Sequence, residues 1–164
     1  MNLRTIICFG LLLVVSVSAT AEECVTVKTT VEGSSLEGKL WPDQEITVFG
    51  WGCGSPDRYD YVVFDVEGKQ EQVIKQLWGF PGDDLKLLEK GRFSVNGIEA
   101  KTPFGKPYIL LGYAKTRFKQ FEGKLAGYLV LGHPGSVDSA RIGLIKKWDI
   151  LGYVPQEQGR QDAD

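Results

Sequence analysis

Apolar and polar residues alternate along most of this chain, in short runs rich in β-branched and aromatic residues. Such runs are typical of strands that bury one face against a core. Turn-forming stretches such as GCGSPD, VEGK, FPGDD and GHPG separate them. The pattern therefore predicts a single compact all-β domain of short antiparallel strands. The strands are expected at residues 25–31, 45–51, 59–66, 72–78, 92–98, 107–114 and 127–132, with a further strand and turn at 83–91.

The first 21 residues follow a different pattern. Arg4 precedes an apolar run that is shorter than the ~20 residues of a membrane-spanning helix. The run ends in ATA at residues 19–21, a small-residue pattern that suits export-signal cleavage. A cleaved signal peptide over 1–21 and a retained anchor both stay open, and either places the rest outside the cytoplasm. We divide that rest into a β domain at 22–155 and a polar, flexible tail at 156–164.

Composition and cysteine spacing narrow the class of protein. The chain has 164 residues, 43% of them hydrophobic. Its net charge of −2 and the lack of a block of like charges argue against a nucleic-acid partner. Cys24 and Cys53 lie outside the export segment, so they can form a disulfide in an oxidising compartment, although two unpaired cysteines remain the alternative. Since neither CxxC nor Cys/His spacing occurs, we expect no metal site.

One lysine lies inside an apolar predicted strand. Lys75 stands in QVIKQLWGFPGD, where desolvation would favour the neutral amine. A neutral amine can act as a general base toward a serine hydroxyl, and the glycine-rich stretch VEGSSLEG offers Ser34 and Ser35. On these residues alone the ordinary alternatives stay open, because strand lysines often reach back to water and serines are common in turns.

An ordered set of motifs resembles the type I signal peptidases, a family of serine peptidases. SSLEGKLWPD resembles the family's nucleophile box, DYVVF its following strand, IKQLWGFPGD its general-base lysine box and VNG its hairpin. GHPGSVDSARIG, at residues 132–143, is similar to the closing box. The motifs extend from about residue 30 to 145, which is most of the chain. SSLEGKLW further resembles the plasmid conjugative-transfer peptidase subgroup.

The resemblance implies a serine endopeptidase that uses no cofactor. Ser35 would be the nucleophile and Lys75 the general base, with the Ser35 backbone N–H stabilising the oxyanion. Ser136 would orient the lysine amine, and Asp138 and Arg141 would form a structural ion pair. The residues assigned to a shallow pocket for the substrate side chain are Val31, Leu36, Val63 and Ile74.

The resemblance also implies a substrate and a location. The family cuts exported precursor proteins after small residues, and the substrate lies extended along strand edges. The subgroup processes pilins or pilus-assembly proteins. The expected location is the periplasm or the periplasmic face of the inner membrane, with a membrane surface as a partner. Neither the oligomeric state nor the choice between hydrolysis and transpeptidation follows from these residues.

Several positions depart from the family motifs and keep alternatives open. Pro42 and Asp43 lie one residue closer to the serines than usual, so that Ser34 is a second candidate nucleophile. Gly33 occupies the place of a second oxyanion-hole serine, and His133-Pro134 replaces Asp-Asn in the closing box. A non-catalytic peptide-binding module of a secretion or conjugation apparatus is therefore the alternative function. A self-cleaving regulator with the same dyad is disfavoured by the export segment.

Overall fold

The computed structural model describes residues 23–66 and 72–159 of the chain. Antiparallel strands form two sheets, which confirms the predicted all-β fold. The strands are β1 (Thr26–Thr30), β2 (Glu45–Phe49), β3 (Tyr61–Asp65), β4 (Gln72–Gly79), β5 (Asp84–Leu87), β6 (Phe93–Val95), β7 (Ile98–Glu99), β8 (Gly123–Lys124), β9 (Leu129–Leu131) and β10 (Ile150–Val154). The larger sheet has the order β1-β2-β10-β3-β4-β9, and the smaller sheet the order β7-β6-β5-β8.

Separate groups of buried apolar side chains support the two sheets. The group on the smaller sheet is built around Phe93, whose ring centroid lies 4.8 Å from that of Phe118. A second group lies beneath the turn of residues 34–40, where Leu36 and Leu40 are 1% and 0% exposed. Because this turn is anchored by its own buried leucines, its position relative to the larger sheet is set by core packing.

The segment 107–114 differs from the prediction. It contains no strand; the backbone turns at Gly112, with φ at 52°, into helix α1 (Tyr113–Lys119). Tyr108 and Leu110 are buried on one side, which produces the alternating pattern of a strand in the sequence. The Leu110 N–H instead donates to the Gly91 carbonyl, so that the segment crosses a loop rather than joining a sheet. Helix α2 (Ser139–Ile142) is short and was likewise not predicted.

Strand β10 was also not predicted, although it lies inside the larger sheet between β2 and β3. Gly152 interrupts its apolar pattern in the sequence. A Cβ atom at this position would lie 2.7 Å from the Phe49 carbonyl oxygen, so the neighbouring strand can approach only a glycine this closely. The residue that weakens the sequence signal is therefore required by the strand pairing.

The two ends of the domain are both tied to the larger sheet. Cys24 and Cys53 form a disulfide that links the residues before β1 to the turn after β2. The predicted tail begins later than residue 156, because Gln156–Gln158 forms a short 3-10 helix and the Gln158 side chain pairs with the backbone of Thr47 in β2 at 2.7 and 2.9 Å.

The export segment at 1–21 and residues 160–164 lie outside the described residues. Within residues 23–66 and 72–159, no helix is long and apolar enough to span a membrane.

Candidate active site

The turn of residues 34–40 presents Ser35 toward the larger sheet. Gly33, with φ at 75°, starts the turn, and backbone hydrogen bonds from Lys39 and Leu40 to the Leu36 carbonyl close it. The carbonyl of Ser35 accepts a hydrogen bond from the His133 N–H at 2.8 Å, which holds the serine against the closing box. Ser34 is exposed, whereas Ser35 is half-buried. The turn therefore directs only the second serine inward.

Lys75 lies on β4, which pairs with β3 on one side and β9 on the other. Its side chain is buried, and its Nζ lies 2.7 Å from Ser35 Oγ and 2.8 Å from the Ile74 carbonyl oxygen. Burial lowers the pKa of Lys75 from 10.5 to about 8, while the negative charge of Asp138 acts in the opposite direction. At such a pKa a substantial share of the amine is neutral near pH 7 to 8, and a neutral amine can accept a proton from the hydroxyl.

Gly132 is a site residue that the sequence analysis did not single out. A Cβ atom there would lie 2.8 Å from each of three atoms: Lys75 Cδ, Ser136 Oγ and the Ser35 carbonyl oxygen. The lysine stem and the serine turn can therefore pack together only around a glycine. The sequence feature that could have indicated Gly132 is its position as the first residue of the closing box, GHPGSVDSARIG.

The predicted ion pair between Asp138 and Arg141 is wrong. Asp138 is fully buried and accepts hydrogen bonds from Tyr108 Oη at 2.8 Å, from the Gly132 N–H at 3.1 Å and from the Ala140 N–H at 3.0 Å. Asp138 caps the N-terminus of α2, so its oxygens face the helix start, while Arg141 is exposed. No ion pair in the described part of the chain includes Arg141.

Burial shifts the titration of the Tyr108–Asp138 pair. It raises the pKa of Asp138, an effect that the hydrogen bond from Tyr108 partly reverses. Burial also raises the pKa of Tyr108, and the negative charge of the Asp138 carboxylate raises it further by a smaller amount. The phenol therefore stays protonated and donates to the carboxylate. The sequence analysis missed Tyr108 because it lies 30 residues from its partner, within the segment that resembled a strand.

The predicted contact between Ser136 and the lysine amine is not formed. Ser136 Oγ is buried, and it makes no hydrogen bond with any residue that the structure describes. The Lys75 amine uses the Ser35 hydroxyl and the Ile74 carbonyl instead. Ser136 nevertheless lies beside the lysine stem, since its Oγ and Lys75 Cδ border the same Gly132 position.

A cleft of about 1080 Å³ opens over Ser35 and Lys75. Three of the four predicted pocket residues, Val31, Val63 and Ile74, line it. Leu36 does not, and its assignment is wrong, because this side chain is 1% exposed within the core under the turn. The backbone segments 29–31 and 72–74 border the cleft and leave space for an extended peptide between them.

His133 and Phe104 form one wall of this cleft. The His133 Nε2 lies 2.9 Å from the Glu37 carbonyl oxygen, and its ring centroid lies 4.8 Å from that of Phe104. Together with its backbone bond to Ser35, this histidine contacts the turn of residues 34–40 at two points. The sequence signal was a single histidine in a glycine-rich stretch, which also fits an ordinary turn. Within the described ranges no cluster of His, Cys, Asp and Glu could hold a metal ion.

Comparison with known proteins identifies the family. The sequence model of the family described as "Signal peptidase, peptidase S26" matches residues 3–156. Signal peptidase I P of Bacillus subtilis subsp. natto is 29% identical over 138 residues, covering 74% of this chain and 70% of that protein. A signal peptidase I structure from Enterococcus faecalis V583 covers 60% of this chain and 96% of that chain, with 20% identity and a TM-score of 0.39. Since the family match extends over nearly the whole sequence, this chain belongs to the S26 signal peptidase family of serine peptidases.

Proposed function

We propose that Ser35 and Lys75 form the catalytic dyad of this signal peptidase I-like enzyme, a peptide-bond hydrolase. The observation that carries the proposal is the 2.7 Å separation of Lys75 Nζ and Ser35 Oγ at a buried position. In its charged form the amine donates to the hydroxyl, and in its neutral form the hydroxyl can donate to the nitrogen lone pair. A non-catalytic binding module needs no such contact, so the distance favours the enzyme over that alternative.

The proposed reaction begins with the neutral amine of Lys75. It takes the hydroxyl proton as Ser35 Oγ bonds to the substrate carbonyl carbon, and it then passes the proton to the leaving amine as the peptide bond breaks. Water hydrolyses the resulting acyl-enzyme in the same way. The Ser35 N–H makes no hydrogen bond with the described residues, so it is available to the oxyanion.

The proposed substrate is an extended segment of an exported precursor protein, since signal peptidases act on such precursors outside the cytoplasm. Val31, Val63 and Ile74 narrow the cleft and so favour a small side chain just before the cut. The chain edges at 29–31 and 72–74 offer backbone groups that can pair with the peptide. The same apolar residues keep water away from the amine, so one group of side chains serves selectivity and proton transfer.

We further propose a periplasmic location, at or near the inner-membrane surface, and a pilin or pilus-assembly protein of conjugative transfer as the substrate. The support is the likeness of SSLEGKLW to the conjugative-transfer subgroup. Comparing exported and pilus proteins by mass spectrometry in cells with wild-type enzyme or Ser35→Ala is expected to show one precursor that stays uncut only in the variant. If the uncut protein is unrelated to pilus assembly, the subgroup assignment fails while the peptidase assignment stands.

The rate of cleavage is expected to rise with pH through about 8, because only the neutral form of Lys75 accepts the serine proton. Below that pH, kcat/KM should fall about tenfold per pH unit. The measurement is kcat/KM between pH 6 and 9.5 on a peptide with alanines before the cut, with circular dichroism at each pH as the control for folding. A profile that is flat from pH 6 to 9 would contradict the role of Lys75 as base.

A further inference from the structure

A second cavity of about 480 Å³ adjoins the proposed catalytic cleft. The loop of residues 133–136 separates the two spaces: His133 faces the cleft, Pro134 and Gly135 face the second cavity, and Ser136 lines both. Ser136 therefore lies between the two cavities, beside the lysine stem.

Two features of the second cavity distinguish it from the cleft. Leu111 and Tyr113 line it although they are 74% and 71% exposed, so apolar surface is available at its opening. Arg141 also lines it, and the guanidinium makes no hydrogen bond or ion pair with the described residues. Asp138, the acidic residue of the lining, is fully buried and holds three hydrogen bonds of its own, so it leaves Arg141 without a counterion.

The surroundings of Arg141 are also positively charged. Helix α1 has the sequence YAKTRFK, with three basic residues and no acidic one. Arg117 of this helix donates a hydrogen bond to the Arg141 carbonyl, which holds α1 against the end of α2. A ligand with a carboxylate near an apolar group would therefore match this surface in both charge and polarity.

We propose that the second cavity binds the part of the substrate that follows the scissile bond, packing an apolar side chain on Leu111 and Tyr113 and pairing an acidic side chain with Arg141. This inference rests on the proposed function, because the direction of the peptide is set by the Ser35–Lys75 dyad. Residues before the cut occupy the cleft between 29–31 and 72–74, so the residues after it leave at the opposite end. The tilted rings of Phe104 and His133 form one wall of the cleft, and Ser136 lines both the cleft and the second cavity.

The test is a set of amidated peptides that share alanines before the cut and carry Glu, Gln or Lys at the second, third or fourth residue after it. Wild-type enzyme is expected to prefer Glu over Gln in kcat/KM by about threefold to tenfold at one of these positions. Arg141→Gln should remove that preference and Arg141→Glu should reverse it in favour of Lys. Lys119→Gln, which makes the same charge change on α1 outside the cavity lining, should retain it.

A companion variant tests the apolar half of the site. Leu111→Ser should lower kcat/KM for peptides with leucine next to the acidic residue, relative to peptides with alanine there, and should leave the Glu-to-Gln ratio unchanged. Every readout is a ratio within one enzyme preparation, so a smaller folded fraction cancels. A wild-type enzyme that cleaves all the peptides with equal efficiency, or an Arg141→Gln variant with the wild-type ratio, overturns the inference while leaving the dyad intact. If Lys75→Ala instead cleaved these peptides with the same kcat/KM as wild-type enzyme, the dyad itself would be refuted.

Discussion

Replacement of Lys75 by alanine or methionine is expected to reduce cleavage by at least about 10⁴-fold while the protein still folds. The amine is the group within hydrogen-bond distance of Ser35 Oγ that can accept its proton, and neither replacement can do so. The apolar neighbours of Lys75 can accommodate either side chain, so loss of activity should not be accompanied by loss of structure. Single-turnover cleavage of a precursor peptide measures the first effect, and thermal unfolding measures the second.

The same substitution should change how stability depends on pH. The folded amine loses its proton near pH 8 and the unfolded amine near 10.5, so the unfolded chain binds more protons between these values and the free energy of unfolding rises with pH there. Below about pH 8 the burial cost is fully present, about 3 kcal/mol for a shift of this size. Lys75→Met removes that cost and should be more stable than wild type at pH 6, by less than this amount because the hydrogen bonds of the amine are lost as well.

Lys86→Met provides the matched control for Lys75, because it removes a strand lysine whose side chain is 68% exposed. It should retain activity and the wild-type dependence of stability on pH. Activity of Lys75→Met above about 1% of wild type would contradict the assignment, since removing a catalytic base from a nucleophile–base pair costs far more than this.

The second large effect is expected from a pair of adjacent serines. Ser35→Ala should be inactive, with a loss of at least about 10⁴-fold, because the hydroxyl that contacts Lys75 Nζ at 2.7 Å is removed. Ser34→Ala should retain activity to within about threefold, because the Ser34 hydroxyl, although Ser34 lines the cleft, makes no hydrogen bond with the described residues and its removal leaves the Ser35–Lys75 contact intact. The Ser34 side chain is exposed, and only its carbonyl is used, as the acceptor of a hydrogen bond from the Glu37 N–H.

The two alanine variants also decide the register of the nucleophile box. Mass spectrometry after mixing enzyme with a slowly hydrolysed acylating peptide should find the adduct on Ser35 in wild type and in Ser34→Ala, and no adduct in Ser35→Ala. The reverse pattern, with Ser34→Ala inactive and an adduct on Ser34, would show that the turn of residues 34–40 is shifted by one position during catalysis.

Strands β3 and β4 of the larger sheet were predictable because their β-branched and aromatic residues form short apolar runs bounded by turn signals. Residues 61–64 and 75–79 are buried without interruption, as in strands that are covered on both faces. The same signal failed at 107–114, where Tyr108 and Leu110 are buried by a loop crossing, and at β10, where a close backbone approach requires Gly152. Periodicity reports which side is buried, and it does not report whether a sheet or a loop buries it.

The sequence by itself determined that an apolar strand carries Lys75, that a glycine-rich turn carries two serines, and that the motif order matches a peptidase family. These are local patterns, which can be recognised in the sequence without knowing which residues are in contact in the folded protein. Only the tertiary structure decided which serine meets the lysine, why residue 132 must be glycine, and that Asp138 pairs with Tyr108 while Arg141 stays exposed. The physical reason is that such contacts join residues 30 to 40 positions apart, and their geometry is set by strand register and core packing rather than by neighbouring residues.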